Sequence, residues 1–427
     1  METHLADWIK DTPDGAEADS ILRACVHCGF CNATCPTYQV LGDELDGPRG
    51  RIYQIKQMLE GQPPGRSTLV HLDRCLSCMN CETTCPSGVR YGRLVEIGRR
   101  HAEMRVRRPV RERIARSLLR FVLLRRRVFD IAVRVGRLLR PALPGQWRGK
   151  LPRSRDAGAW PQRTHARKVL LLRGCVQPAL LPAIDAATAR VLDALGIEAV
   201  VAQGSGCCGA IEFHNSAEEG ARASARRNID AWWTHLEAGA EAIVVNASGC
   251  GAMIKDYARL LAGDAAYAEK AARISNAARD LAEFLAPHAR QLAALRGRAA
   301  ASRIAFHPPC TLQHTQKLRG AVEGLLVTLG AEVVPVADAH LCCGAAGTYA
   351  LLQPKLSREL RRRKLDNLTR NAPQMILSAN IGCLAHLEPH SEVPVRHWIE
   401  WVDAEIRSVA DSGVDTSASR TPKAAAR

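Results

Sequence analysis

Between Pro109 and Pro141 the apolar residues Val110, Ile114, Leu118, Phe121, Val128, Ile131, Val135 and Leu138 recur mostly at three- or four-residue steps, the period of one helical face. The positions between them hold Arg111, Arg113, Arg116, Arg120, Arg125, Arg126, Arg127, Arg134, Arg137 and Arg140. This pattern predicts one basic amphipathic helix from Val110 to Arg140. Further on, short apolar runs predict buried strands at Lys168 to Gly174, Ala199 to Gln203 and Ala242 to Asn246, and again at Arg303 to Pro309, Glu332 to Val336 and Met375 to Ala379. Strands that alternate with helices imply a small parallel α/β sheet, here present twice. Nearer the start, the turn residues Asp46-Gly47-Pro48 precede a predicted helix from Arg51 to Glu60.

The cysteines follow the same organisation. Cys175, Cys207-Cys208-Gly209 and Cys250 reappear as Cys310, Cys342-Cys343-Gly344 and Cys383, at offsets of 135, 135 and 133 residues, so the second half of the chain is a duplicated domain. The expected division is an N-terminal unit at 1–105, the basic helix and a Pro/Gly/Arg-rich linker at 106–163, the two copies at 164–300 and 301–408, and a disordered tail at 409–427. The fold class is mixed α and α/β, a helical domain followed by two small parallel α/β domains.

Composition narrows the setting. With 47% apolar residues in 427, the chain has material for several cores. The segment Met1 to Asp19 lacks the basic and apolar regions of a secretory signal, and no apolar run reaches the 18 or so residues needed to span a bilayer. The expectation is a cytoplasmic protein, where sixteen cysteines point to metal rather than disulfides. A formal charge of +16 calls for an anionic partner surface. The arginine-lined helix fits the inner face of the cell membrane, as a peripheral contact, or packing on the protein's own domains or on a partner subunit. Nucleic acid is excluded as a partner: no recognition motif or aromatic stacking platform accompanies the arginines.

Two runs carry the strongest chemistry. Cys25-Val-His-Cys28-Gly-Phe-Cys31-Asn-Ala-Thr-Cys35-Pro36 and Cys75-Leu-Ser-Cys78-Met-Asn-Cys81-Glu-Thr-Thr-Cys85-Pro86 both read C-x2-C-x2-C-x3-C-P. Two-residue gaps let three thiolates wrap one face of a cubane, while the fourth cysteine ligates the other cluster. Cys25, Cys28, Cys31 and Cys85 are therefore expected to hold one [4Fe–4S] cluster, and Cys35, Cys75, Cys78 and Cys81 a second. The unit at 1–105 is thus expected to be a two-cluster ferredoxin domain, and the spacing from Cys35 to Cys75, which exceeds that of a minimal ferredoxin, suggests the helical variant.

In the duplicated domains each cysteine follows a predicted strand, so Cys175, Cys207, Cys208 and Cys250 are expected to converge at one sheet edge, as are Cys310, Cys342, Cys343 and Cys383. Such pockets suit further clusters, zinc or a redox disulfide. His307 and His340 lie close in sequence to the second set, so the second copy is the one expected to exchange electrons with the ferredoxin clusters or the quinone, while the histidines themselves are expected to be polar surface residues. Gly204-Ser-Gly206-Cys-Cys-Gly209 matches the dinucleotide fingerprint G-x-G-x-x-G, but the second copy has Ala339 and Leu341 at the first two glycine positions, so the match is read as accidental and no flavin or NAD is expected on this chain.

Over residues 20 to 405 the chain resembles the iron–sulfur subunit of glycolate oxidase (glycolate dehydrogenase), most visibly from Cys25-Val-His-Cys28-Gly-Phe-Cys31 through Gly47-Pro-Arg-Gly-Arg51 and at Ser378-Ala-Asn-Ile-Gly-Cys383. The resemblance implies an electron-transfer subunit with no catalytic residue of its own. A flavin-containing partner subunit would oxidise glycolate to glyoxylate, a second flavin-like subunit would assist, and a quinone or other membrane acceptor would receive the electrons. Iron–sulfur subunits of lactate and glycerol-3-phosphate dehydrogenase complexes are similar in architecture, and a disulfide or quinone reductase acting at the Cys-Cys-Gly site is the other reading. In heterodisulfide reductase each such domain ends in Cys-x-x-Cys. Here the first of those positions is Ala247 in one copy and Asn380 in the other, leaving four cysteines per site.

Overall fold

Proline and glycine set the boundaries of the N-terminal helices. Pro48 at the first turn, after Gly47 as N-cap, starts the helix Pro48–Leu59, three residues before the expected position. Its buried Ile52, Ile55 and Leu59 pack with Leu69 and Leu72 of the helix Arg66–Asp73 and with Leu94, Val95 and Ile97 of the helix Tyr91–Arg105. Gly98 allows that approach, since a Cβ there would lie 2.6 Å from Ile55. A computed structural model of the chain describes residues 1–141, 155–296 and 301–412, with side chains as far as Arg407.

The basic segment is not one helix. It breaks at Arg125, whose φ of −91° and ψ of 95° are extended, into the helices Val110–Leu124 and Arg126–Leu138. The two halves have different polar and apolar anchors. Arg116 pairs with Asp73 of the N-terminal domain at 3.0 Å, whereas Val133 is buried in the core of the duplicated domains and Arg137 donates to the Leu180 carbonyl at 2.8 Å. The predicted stripe faces outward: Val110, Ile114, Leu118, Ile131 and Leu138 are 66, 60, 58, 60 and 80% exposed. The helix pair therefore packs on its own protein through other residues.

Most of the expected linker lies outside the described residues. From residue 155 the chain is extended and tethered, with Arg155 between Glu388 and Glu400 at 2.6 and 3.0 Å.

Each copy forms a four-stranded parallel sheet. The first has the order β2-β1-β3-β4, from β1 (Arg167–Leu171), β2 (Ile197–Val200), β3 (Ile243–Val245) and β4 (Ala278–Asp280). The second repeats it as β6-β5-β7-β8, from β5 (Arg303–His307), β6 (Glu332–Val334), β7 (Met375–Ser378) and β8 (Val395–His397). The six anticipated strands are present and each ends earlier than expected, β1 and β2 also beginning one and two residues earlier, and β4 and β8 add an edge that the sequence pattern did not signal. Val169, Leu170 and Leu171 of β1 and all of β3 are buried, as a sheet covered on both faces requires. The helix Trp398–Ser412 runs past residue 409, where the loose tail was expected; residues 413–427 lie outside the described residues.

Candidate functional site

Both cysteine runs fold into the same loop. His27 and Gly29 in the first, and Ser77 and Met79 in the second, have φ of 59, 87, 51 and 60°. Three of these are non-glycine residues in the left-handed region, a conformation retained where the surroundings impose it, as at ligand sites. The loops bring Cys25, Cys28, Cys31, Cys81 and Cys85 to one concavity and Cys35, Cys75, Cys78 and Cys81 to another, and Tyr91 lines both. Cys28 is exposed, whereas Cys78 and Cys81 are buried.

The two pockets differ in charge. Burial pushes the Cys31 thiol up to about 11, with Cys25 and Cys85 adding to it. Burial also opposes the Cys75 thiolate, but Arg51, Arg99 and the Tyr91 hydroxyl outweigh it and hold that pKa below the ordinary thiol value. The Tyr91 hydroxyl lies 3.5 Å from the Cys75 sulfur, the Ser77 amide 3.4 Å from the same atom, and the Thr37 hydroxyl 3.2 Å from the Cys35 sulfur. Arg51, 1% exposed, donates to the His71 carbonyl at 2.7 Å and to Thr37 Oγ1 at 3.3 Å. Its countercharge Asp46 is fully buried and also meets Arg74 at 2.7 Å and His71 at 2.9 Å. Arg51, Thr37 and Tyr91 were not singled out from the sequence as site residues. The only signal was Arg51 at the end of Gly47-Pro-Arg-Gly-Arg.

The cysteines of each copy converge as their strand-end positions predict. In the first copy thiol contacts run from Cys175 to Cys207, to Cys208 and to Cys250. In the second they run from Cys310 to Cys342, 4.0 Å apart at sulfur, then to Cys343 and Cys383. His307 is not a surface residue: it is 1% exposed, and its ligand atom, with those of Cys343 and Cys383, falls in a group all within 4.8 Å of one another. Its expected exposure fails because it is the last residue of a covered strand. His340 is half-buried, and its carbonyl accepts from the His314 ring at 2.9 Å. Asn380 stands where a fifth thiol would be and donates to the Cys383 sulfur at 3.5 Å. In the fingerprint-like loop, the Gly206 amide is committed to Asn228 Oδ1 at 2.8 Å and the Gly209 amide to the Cys207 sulfur at 3.4 Å, so both are already engaged within the domain.

One ferredoxin pocket adjoins one copy. Leu76 and Cys78 share a buried cluster with Cys342, Tyr349, Leu356 and Leu360, and Cys310 packs against it. Thr83 Oγ1 meets the His314 ring at 3.1 Å, and the Tyr349 hydroxyl donates to the Arg74 carbonyl at 3.1 Å. The first copy meets the N-terminal domain through ion pairs, Arg100 with Glu218 at 2.8 Å and Arg259 with Glu96 at 3.4 Å.

The donor set of the two N-terminal pockets fits iron–sulfur chemistry: cysteine thiols, in loops whose amides and hydroxyls point at sulfur, with basic side chains close by. Residues 21–89 match the 4Fe-4S dicluster domain, and residues 169–255 and 304–388 each match the cysteine-rich domain known as CCG. Fold and site thus define an iron–sulfur protein with a ferredoxin-type domain and a duplicated cysteine-rich module. The chain is 55% identical to the glycolate oxidase iron–sulfur subunit of Escherichia coli (strain K12), over 94% of its own length and 98% of that protein's. It is 28% identical to the probable glycolate oxidase iron–sulfur subunit of Bacillus subtilis (strain 168), over 86% of this chain. Lactate utilization protein A of Geobacillus thermodenitrificans is 27% identical over only 52% of it. The chain belongs to the glycolate oxidase iron–sulfur subunit family. Among the described residues no helix is long and apolar enough to cross a membrane.

Proposed function

We propose that this chain carries electrons within a glycolate oxidase complex, from a flavin-containing partner subunit that oxidises glycolate to glyoxylate, alongside a second flavin-like subunit, towards a quinone. The observation that carries the reading is the unbroken series of thiol pockets, from exposed Cys28, through the concavity that shares Cys81, to Cys310 and Cys342 of the second copy. Cys25, Cys28, Cys31 and Cys85 hold one [4Fe–4S] cluster, and Cys35, Cys75, Cys78 and Cys81 the other, in a unit spanning 1–105; the copies at 164–300 and 301–408 take electrons onward. A bound [4Fe–4S] cluster supplies one-electron carriage, and its potential follows local charge, hydrogen bonds to sulfur and exposure. The chain's own part is to set those conditions. Arg51 and Arg99 place positive charge beside Cys75, while Tyr91 and Ser77 donate to its sulfur. Leu76, Tyr349 and Leu356 exclude water between Cys78 and Cys342.

The exposed apolar stripe of the helices Val110–Leu124 and Arg126–Leu138, flanked by arginines, supports peripheral attachment to the anionic inner face of the cell membrane, close to a quinone. Lactate oxidation is the weaker reading, because the lactate-utilization relatives match only about half of this chain. The experiment is anaerobic purification with the co-eluting subunits, followed by iron, sulfide and flavin counts and glycolate-dependent dye reduction. Iron and sulfide should stay with this chain, and flavin with its partners. Stoichiometric flavin on the isolated chain, or thiol sites without labile sulfide, would refute the reading.

A further inference from the structure

The two Cys-Cys-Gly pockets are built from the same strands but are not chemically alike. In β5 and β7, His307 is in register with Ser378. The corresponding residues of the first copy, by the same repeat offsets, are Leu172 and Val245, both buried and apolar. The pair has thus changed together, across two strands. The Ser378 hydroxyl donates to the His307 carbonyl at 3.1 Å and lies 2.9 Å from His307 Nδ1. With its hydrogen spent on the carbonyl, Ser378 Oγ accepts from Nδ1–H, which fixes the tautomer and leaves Nε2 with the lone pair. A ligating histidine is oriented in this way by a hydrogen bond at its other nitrogen.

A second difference lies on the covering helix. Gly209 is approached by the backbone of Ala221, and Gly344 by that of Ser357. Two turns further along, the first copy has Asn228, which bridges the Cys207 carbonyl and the Tyr257 hydroxyl. The second has Lys364, 2% exposed, donating to the Asp338 carbonyl at 2.8 Å. One pocket is therefore thiols backed by leucine and asparagine, and the other is thiols with an imidazole and a buried ammonium.

We propose that the second Cys-Cys-Gly pocket is a mixed thiolate–imidazole iron centre with His307 as a ligand beside Cys310, Cys342, Cys343 and Cys383, and that this copy alone receives the electron from the adjoining ferredoxin pocket. The inference rests on the electron-transfer reading above. The imidazole adds a neutral ligand to the four thiolates and so no further negative charge, and the buried Lys364 ammonium favours an added electron. One electron leaves the centre held by Cys35, Cys75, Cys78 and Cys81, oxidising it by one unit, and reduces the iron of the second copy by one unit. No bond forms or breaks and no proton is required. Contact supports the route: Leu76 and Cys78 share a buried cluster with Cys342, whereas the buried cluster around Cys208 and Cys250 contains no residue of the N-terminal domain.

The test uses the whole chain with its co-purified partner subunits, labelled with 15N-histidine, partly reduced and examined by pulsed EPR. A third paramagnetic species, besides those of the ferredoxin segment, should show a histidine nitrogen coupling. The coupling should be lost in His307→Leu, which installs the first copy's residue, and the midpoint of that species should move while the ferredoxin signals stay in place. Ser378→Val keeps the ligand but frees its ring; it should alter the coupling without abolishing it, and it serves if His307→Leu does not fold. No histidine coupling in the unsubstituted protein, a coupling that survives His307→Leu, or zinc in place of iron in the second copy would each overturn the proposal. Missing ferredoxin signals in the unsubstituted protein would instead sink the electron-transfer reading beneath it.

Discussion

Replacing Arg51 with Met should lower the midpoint potential of one ferredoxin cluster and leave the other close to its original value. The guanidinium lies 3.3 Å from Thr37 Oγ1, which in turn lies 3.2 Å from the Cys35 sulfur, so its charge sits at most about 6.5 Å from a ligand atom. At an effective dielectric constant of about 20, a unit charge at that distance favours an added electron by about 2.5 kcal/mol, or about 110 mV for a one-electron couple. Asp46 complicates the result, because removing Arg51 leaves that buried carboxylate with Arg74 and His71 alone. Breaking a buried pair from one side costs roughly 3–5 kcal/mol of stability. The double variant Arg51→Met with Asp46→Asn removes both charges and should recover much of the potential and part of the stability. Arg51→Lys keeps the charge without the planar fork, so it should lose stability more than potential. The assay is an EPR-monitored redox titration of the full chain, with urea unfolding alongside. Midpoints unmoved by Arg51→Met, or moved upward, would show that this charge does not set the cluster's potential.

Asp280 caps the helix Leu281–Leu285 from a buried position, and burial raises its pKa to about 6. An acid whose folded pKa exceeds its unfolded value binds protons more readily when folded, so stability falls as pH rises from about 4 to 6 and the penalty is complete above that. Asp280→Asn keeps a capping side chain and should therefore stabilise the protein at pH 8, by up to about 3 kcal/mol, and clearly less at pH 5; an equal gain at both pH values in urea unfolding would contradict the argument. Replacing Arg125, Arg126 and Arg127 with Gln should weaken binding to anionic vesicles by roughly a hundredfold, at about 1 kcal/mol per arginine, and flatten its salt dependence. Unchanged vesicle binding would mean that the helix pair faces a protein instead.

The parts legible in the sequence were those whose signal is local. Two C-x2-C-x2-C-x3-C-P runs, a repeat at nearly constant offset and six apolar runs identify the ferredoxin-type domain and the duplicated parallel sheets without reference to tertiary contacts. The parts that stayed hidden depend on contacts between distant segments. β4 and β8 are three-residue edge strands, too short to show a period, and they exist because β3 and β7 offer them a partner. The break at Arg125 falls between anchors that are distant in sequence, Asp73 for the first half and the Leu180 carbonyl for the second. His307 looked like a surface residue because its partner Ser378 is 71 positions away, and the contact of Thr83 with His314 spans 231.

Duplication gives the two copies equivalent strand ends, and the seam between them uses the positions that would otherwise begin a Cys-x-x-Cys. The Ser248 amide, next to Ala247, donates to the Ala379 carbonyl at 3.1 Å, next to Asn380, and the Gly249 amide lies 3.4 Å from Asn380 Oδ1. Ser248 also meets Thr311 at 2.8 Å, and the His397 ring meets the Asn246 carbonyl at 2.9 Å. The loops that bear Cys250 and Cys383 are thereby fixed against each other, so the two pockets have a set separation. A fifth thiolate at 247 or 380 would have to occupy this packed seam, which accounts for Ala247 being small and buried and for Asn380 serving both the partner copy and the Cys383 sulfur. The N-terminal domain then breaks the symmetry, placing Cys78 against Cys342 while meeting the first copy through Arg100 and Arg259. On the proposed route, redox tuning is needed only in the pocket whose cysteines adjoin Cys78. The histidine, the serine bonded to it and the buried lysine are all found in that copy.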